Sequence, residues 1–144
     1  MNQPLYTIEI LRLAASIPHL GRLNEADGRA EARSPTCGSK AGAEVVLDDD
    51  GRVSAFAQVV EACAFGQASA ALVGAHAIGR NEIEVERALA DLTAWLDGSS
   101  DEAGDWPGLD KLAPARDRRA RHGAMLLPFR ALLAAIRDAG EQSR

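Results

Sequence analysis

The sequence predicts an α+β fold in which a small three-stranded antiparallel sheet is covered by helices. Residues 28–60 contain short segments suited to strands and one tight-turn sequence, whereas the flanking residues show apolar side chains at helical spacing. Strands and helices that are segregated along the chain favour an antiparallel sheet with helices on one face. The chain has 144 residues, of which 47% are hydrophobic, so we expect one domain over residues 1–144.

The strands are expected in the first half of the chain, after one helix. A first helix over about residues 4–16 places Ile8, Leu11 and Ala15 on one side and is stopped by Pro18. Strand candidates follow at 28–34, 43–47 and 52–60. The last two are joined by Asp48-Asp49-Asp50-Gly51, a turn typical of hairpins.

The second half of the chain is predicted to be helical. An alanine-rich helix is expected over 66–77, and a second helix is expected to start at Asn81 and end at Gly98. Asn81 and Glu84 have the spacing of a capping box. After a polar loop over 99–108, a last helix is expected to start between Gly123 and Pro128 and to end near Gly140.

Composition excludes several classes of function. The formal net charge of −5 argues against general nucleic-acid binding, and no apolar run is long enough to cross a membrane. The first residues lack a basic segment followed by an apolar one, so we expect a cytoplasmic protein. A nucleophile elbow, a zinc-protease motif and a phosphate loop are all missing, which argues against a hydrolase.

The two cysteines, Cys37 and Cys63, are the candidate functional residues. Cys37 lies in a turn between strand candidates and precedes Gly38, which lets a ligand approach the backbone. Cys63 lies between a strand end and a helix start, where unpaired amides and the helix dipole favour a thiolate. Thiolates bind soft and borderline metals. From the residues alone, the alternative that either cysteine is a small buried hydrophobe stays open.

The segments around both cysteines resemble the U-type iron–sulfur cluster assembly scaffolds, the IscU, SufU and NifU N-terminal domain family. The similarity runs from the Ile17–Gly21 turn to the last helix, through Ser-Pro-Thr-Cys37-Gly-Ser and Glu-Ala-Cys63-Ala-Phe-Gly. Its specific parts are the Cys37-Gly38 pair and the run Cys63-x-x-Gly-Gln-Ala-Ser-Ala. The resemblance implies a SufE/IscU-like fold and a site made by three cysteines and an aspartate that holds a metal or a cluster.

This chain departs from the family at two of those four ligand positions. Ser39 stands where the family has its aspartate, and Ala124 stands where it has its third cysteine, with Gly123 where some members carry a histidine. His122 is the nearest replacement, since an imidazole can take the place of a thiolate on iron or zinc. The alternative is that His122 is a solvated member of the basic run Arg116–His122, which is itself either a solvated face or a docking patch for an acidic partner.

The resemblance implies a scaffold or carrier for iron–sulfur cluster assembly and not an enzyme. Cys37 and Cys63, with His122, would hold iron and a transient cluster or zinc. Sulfur would come from a cysteine desulfurase, and the cluster would pass to apo iron–sulfur acceptor proteins. A cluster could be completed by His122, by an external thiol, or by a homodimer that supplies four thiolates. The alternative is a non-assembling paralogue that binds zinc or a desulfurase as a regulatory or sulfur-accepting partner.

Overall fold

The computed structural model describes residues 6–35 and 38–142. The elements, in chain order, are α1 (Ile8–Ala15), β1 (Gly28–Arg33), β2 (Lys40–Leu47), β3 (Val53–Glu61), α2 (Ala64–His76), α3 (Glu82–Leu96), a 3-10 helix (Leu109–Ala115) and α4 (Arg119–Gln142). The predicted α+β fold with a three-stranded antiparallel sheet is confirmed.

The sheet is a meander in the order β1-β2-β3, so each strand pairs with its neighbour in the sequence. Ala43 in the central strand faces Ala30 on one side and Gln58 on the other. The turn between β2 and β3 is closed by a 2.8 Å hydrogen bond from the Asp48 amide to the Arg52 carbonyl. Gly51 adopts a φ of 78°, which explains why a glycine follows the three aspartates.

The core lies between the sheet and the helices. α4 packs across β1 and β2, and α2 packs against both α1 and α4. Gly28 lets α4 approach β1 closely, because a Cβ at this position would lie 2.1 Å from the Ala135 carbonyl oxygen. Phe65, Phe129 and Leu132 are among the fully buried side chains that fill this layer.

The third helix has the predicted start. The Asn81 side chain accepts from the Glu84 amide at 2.9 Å, and Glu84 Oε1 accepts from the Asn81 amide at 3.1 Å. Both tryptophans are buried, and Trp106 Nε1 donates to the Leu72 carbonyl at 3.0 Å. Within the described residues, the helices are all too short or too polar to cross a bilayer.

The last helix begins earlier than predicted. It starts at Arg119 instead of between Gly123 and Pro128, and it carries Pro128 in its interior. A proline there removes one hydrogen bond, the one that the Ala124 carbonyl would accept. The helix continues through this point because residues 124–129 are all buried against the core. The 3-10 helix over Leu109–Ala115 was not predicted, since Pro114 and a short length obscure its periodicity.

Candidate functional site

Cys63 lies at the junction of β3 and α2. It is the N-cap residue of α2, with extended backbone (φ −65°, ψ 173°), and its carbonyl accepts from the Gln67 amide at 2.9 Å. The side chain makes no capping hydrogen bond, so the thiol is not bound to the first amides of α2. It is half-buried and packs against the edge of the core.

A pocket of about 210 Å³ opens beside this cysteine. Its walls come from the end of the 34–39 turn, the β3–α2 junction and the first turns of α4. The lining residues are Gly38, Ser39, Glu61, Ala62, Cys63, Ala120, Arg121 and Ala124. The structure therefore brings together Ser39, Cys63 and Ala124, three positions that the resemblance matched to family ligands. Two of those three, Ser39 and Ala124, are also buried.

Small residues on α2 set the distance between Cys63 and Ala124. Gly66 lies one turn into α2, and a Cβ there would be 3.2 Å from the Ala124 carbonyl oxygen and 3.3 Å from the Ala124 Cβ. One turn further on, the buried Ser69 hydroxyl donates to the Met125 carbonyl at 2.6 Å. The Gly66-Gln-Ala-Ser69 part of the cysteine segment is thus explained by the close packing of α2 on α4.

Cys37 lies outside the described residues, so its position as a predicted ligand stays a prediction. Its neighbours are described: Gly38 has a φ of 72° and lines the pocket, and its amide donates to the Ser34 carbonyl at 3.2 Å. The Ser34 amide in turn donates to the Ser39 carbonyl at 2.9 Å. Ser34 on one side of the undescribed residues is therefore hydrogen-bonded to Gly38 and Ser39 on the other side.

His122 has a different environment from Cys63. Its Nε2 lies 3.1 Å from the Ala115 carbonyl oxygen and 2.8 Å from that of Arg116, and it is not one of the residues lining the pocket. Both partners accept only, so Nε2 must carry a proton to hydrogen-bond to them. The histidine joins α4 to the end of the 3-10 helix, and the predicted ligand role of His122 would have to use Nδ1.

Two charged residues of the pocket, Glu61 and Arg121, were missed by the sequence reasoning. Glu61 ends β3 and lies 3.5 Å from the Lys40 ammonium. Arg121 is half-buried in the first turn of α4. The sequence around Arg121 does not distinguish it from the other arginines of the 116–122 run. Arg121 lines the pocket because α4 begins at Arg119, which the sequence did not predict.

The donor set limits what this site can hold. In the described part of the chain, no group of three or more His, Cys, Asp and Glu side chains is arranged to hold a metal ion. Structural zinc and binuclear clusters need four ligands for each complete site. The described pocket supplies the Cys63 thiol and the Glu61 carboxylate, and Cys37 would add a second thiol. These groups give at most three ligands, so a complete cluster site needs His122, an external thiol or a second chain as well.

Two known structures are similar to this one over nearly the whole chain. A crystal structure of a nitrogen-fixing NifU-like protein (N-terminal) from Brucella abortus is 33% identical, covers 95% of this chain and 95% of its own, and has a TM-score of 0.88. A putative iron–sulfur cluster assembly scaffold protein for the SUF system from Fervidobacterium islandicum AW-1 is 17% identical, with a TM-score of 0.82, and covers 92% of this chain and 96% of its own. No family model and no curated protein matches the chain.

These likenesses define the class to which the protein belongs. The second structure, at its low identity, supports the fold alone. The first structure is 33% identical over 95% of both chains, which shows membership of the same family. The chain belongs to the U-type scaffold family, the NifU N-terminal domain and SufU proteins.

Proposed function

We propose that residues 1–144 form one scaffold domain that carries iron and sulfide for iron–sulfur cluster assembly, with Cys37 and Cys63 as its thiolates and no enzymatic activity of its own. The observation that carries the proposal is the pocket that gathers Cys63 with Ser39 and Ala124, at the positions matched to the family's ligands. The two structures compared above, one named NifU-like and one named a scaffold for the SUF system, support the same role.

Two thiolates per chain set the stoichiometry of the cargo. A binuclear cluster with four protein thiolates needs two chains, so the loaded form is a homodimer with about one iron and one sulfide per chain. His122 is the further candidate ligand, through Nδ1.

Partners follow from the same chemistry. A cysteine desulfurase supplies sulfur as a persulfide, and apo iron–sulfur proteins receive the cluster. The half-buried Cys63 beside an open pocket supports both steps, since thiol exchange needs access to the sulfur. We place the protein in the cytoplasm, where thiols stay reduced.

A second function is favoured by one specific observation. Ser39 and Ala124 occupy two ligand positions at the pocket, which suits a paralogue that binds zinc or a desulfurase without assembling clusters. Such a protein would keep the fold and the partner surface and carry no sulfide.

Anaerobic reconstitution separates the two functions. The purified chain is incubated with iron, sulfide and a thiol reductant, and protein-bound iron and sulfide are measured together with the mass of the complex. We expect about one iron and one sulfide per chain in a dimer, lost in Cys63→Ser and in Cys37→Ser. Ser54→Ala, an exposed position on β3, is the matched control and should load normally.

A wild-type chain that binds neither iron nor sulfide would contradict the proposal. If that chain also binds a stoichiometric zinc ion through Cys63, the zinc-binding alternative replaces it.

A further inference from the structure

Arg121 lines the Cys63 pocket and has no carboxylate partner in the described part of the chain. Within residues 6–35 and 38–142, no carboxylate oxygen lies within 4.0 Å of its guanidinium. The other charged lining residue, Glu61, faces the Lys40 ammonium at 3.5 Å, so its negative charge is offset. Of the two charged residues that line the pocket with Cys63, Glu61 is paired with Lys40, whereas the positive charge of Arg121 has no carboxylate partner among the described residues.

The neighbouring Arg116 also lacks a carboxylate partner in the described part of the chain, but its guanidinium makes other contacts. Arg116 Nε donates to the Trp95 carbonyl at 3.0 Å, and its guanidinium lies 4.9 Å from the centre of the Trp95 ring. Arg116 is thus used in packing the 3-10 helix against α3. Arg121 has no such contact among the described residues and lines the pocket wall with Ala120 and Ala124.

A fixed positive charge beside a thiol has a predictable effect on its reaction partners. Opposite charges a few ångströms apart at a protein surface attract by about 1 kcal/mol or more, and salt weakens this attraction. Reactants with a negative charge near their sulfur are therefore concentrated at the pocket, and cationic ones are repelled.

We propose that Arg121 is a specificity residue that makes the Cys63 pocket select anionic reactants with a carboxylate near the reacting sulfur, namely persulfide sulfur donors and disulfides that form mixed disulfides with Cys63. In the transfer step the Cys63 thiolate attacks the terminal sulfur of the donor persulfide. A new S–S bond forms on Cys63, the S–S bond of the donor breaks, and the donor leaves as a thiolate, while the proton of the persulfide stays with the transferred sulfur. Cys63 is oxidised to a persulfide and the donor is reduced to its thiol level.

The proposal rests on Cys63 being a working thiol of the proposed function, and it is tested without iron. The Cys37→Ser chain, which has one thiol, is reacted with anionic dithiobis-nitrobenzoate, neutral dithiodipyridine and cationic cystamine, and the three rates are compared. Each reagent forms a mixed disulfide with Cys63 and releases one thiolate. The ratio of the anionic to the neutral rate measures charge selection, because a change in the reactivity of the thiol itself alters both rates together.

We expect Arg121→Gln to lower the anionic-to-neutral ratio about fivefold at low salt and to raise the cationic-to-neutral ratio. Arg121→Lys should keep the ratio within about twofold of the parent, and added salt should remove the difference. Arg130→Gln, an exposed arginine on the same helix, is the matched control and should leave the ratio unchanged.

An Arg121→Gln ratio within about twofold of the parent at low salt would overturn the proposal, as would an equal fall in Arg130→Gln. Circular dichroism checks that each variant is folded. If Arg121→Gln does not fold, the test uses Arg121→Lys, whose anionic-to-neutral ratio should stay within about twofold of the parent and should fall when salt is added. A chain that shows the Arg121 effect and binds no iron or sulfide would overturn the proposed cluster function and leave charge selection standing. A chain that binds iron and sulfide but shows no Arg121 effect would overturn charge selection and leave the proposed cluster function standing.

Discussion

The hydroxyl of Ser69 donates a 2.6 Å hydrogen bond to the carbonyl of Met125, and this bond joins the helix that Cys63 caps to the helix that carries Ala124. Both partners are buried, with no exposure of Ser69. Replacement of Ser69 by alanine removes the donor and should lower the free energy of unfolding by about 1–2 kcal/mol. Urea unfolding measures this change.

The matched control is Ser54→Ala, whose exposed hydroxyl donates to the Val46 carbonyl at 3.2 Å. This variant should lose less than about 0.5 kcal/mol. Equal losses in the two serine variants would mean that the Ser69 bond does not hold α2 on α4.

Gly66 controls how closely α2 approaches α4 beside the pocket. An alanine Cβ would lie 2.5 Å from the Ala62 Cβ and 3.2 Å from the Ala124 carbonyl oxygen, so the first turn of α2 must shift. We expect Gly66→Ala to cost about 1–3 kcal/mol of unfolding free energy and to change the rate at which Cys63 reacts with a neutral disulfide. Both quantities are measurable on the Cys37→Ser background.

Gly140→Ala serves as the comparison for Gly66→Ala. Gly140 lies near the end of α4, and a Cβ added there would meet no other atom within 4 Å, so alanine should stabilise the helix or leave it unchanged. If Gly66→Ala behaves in the same way, the close approach of α2 to α4 does not constrain the residue at position 66.

His76 makes stability depend on pH. Burial, and then the charge of Arg80, hold the pKa of this imidazole below its ordinary value of 6.5. The unfolded chain therefore binds the proton more readily, so the contribution of His76 to stability is complete above pH 6.5 and is lost as the pH falls below it. The urea midpoint of the wild type should fall more between pH 7.5 and 5.5 than that of His76→Gln. Parallel falls would contradict this account.

His122 links the start of α4 to the end of the 3-10 helix. His122→Ala leaves the carbonyls of Ala115 and Arg116 without this donor and should cost about 1 kcal/mol, while His122→Gln can restore one hydrogen bond. Iron content tests the separate prediction that His122 is a ligand. That prediction requires the glutamine variant to lose iron at unchanged stability, and a fully loaded glutamine variant would contradict it.

The fold could be predicted because each level of the sequence points to the same elements. The Asp-Gly turn and the Asn81–Glu84 capping box agree with the observed strands and helices. The face predicted for the first helix is wrong, because Ile8, Leu11 and Ala15 are exposed and Ile10 is the buried residue. The start of α4 could not be predicted, because Gly123 and Pro128 both have low helix propensity. Burial of the surrounding side chains stabilises the helix in spite of these two residues. For the site, the neighbours of Cys63 could be matched through the family resemblance, but the contacts of Arg121 and His122 depend on where α4 begins.

The most direct test of the scaffold site is to add back a ligand. Ala124 lies in the pocket with Cys63 and Glu61, so Ala124→Cys gives the pocket a third thiol beside that carboxylate. With Glu61 or His122 as fourth ligand, the cluster can be held in a monomer, and the iron bound after anaerobic reconstitution should rise from about one to about two atoms per chain. Ala134→Cys, on an exposed part of the same helix, adds the same thiol away from the pocket and should bind no more iron than the wild type. Equal iron in the two cysteine variants would contradict the assignment of this pocket as the cluster site.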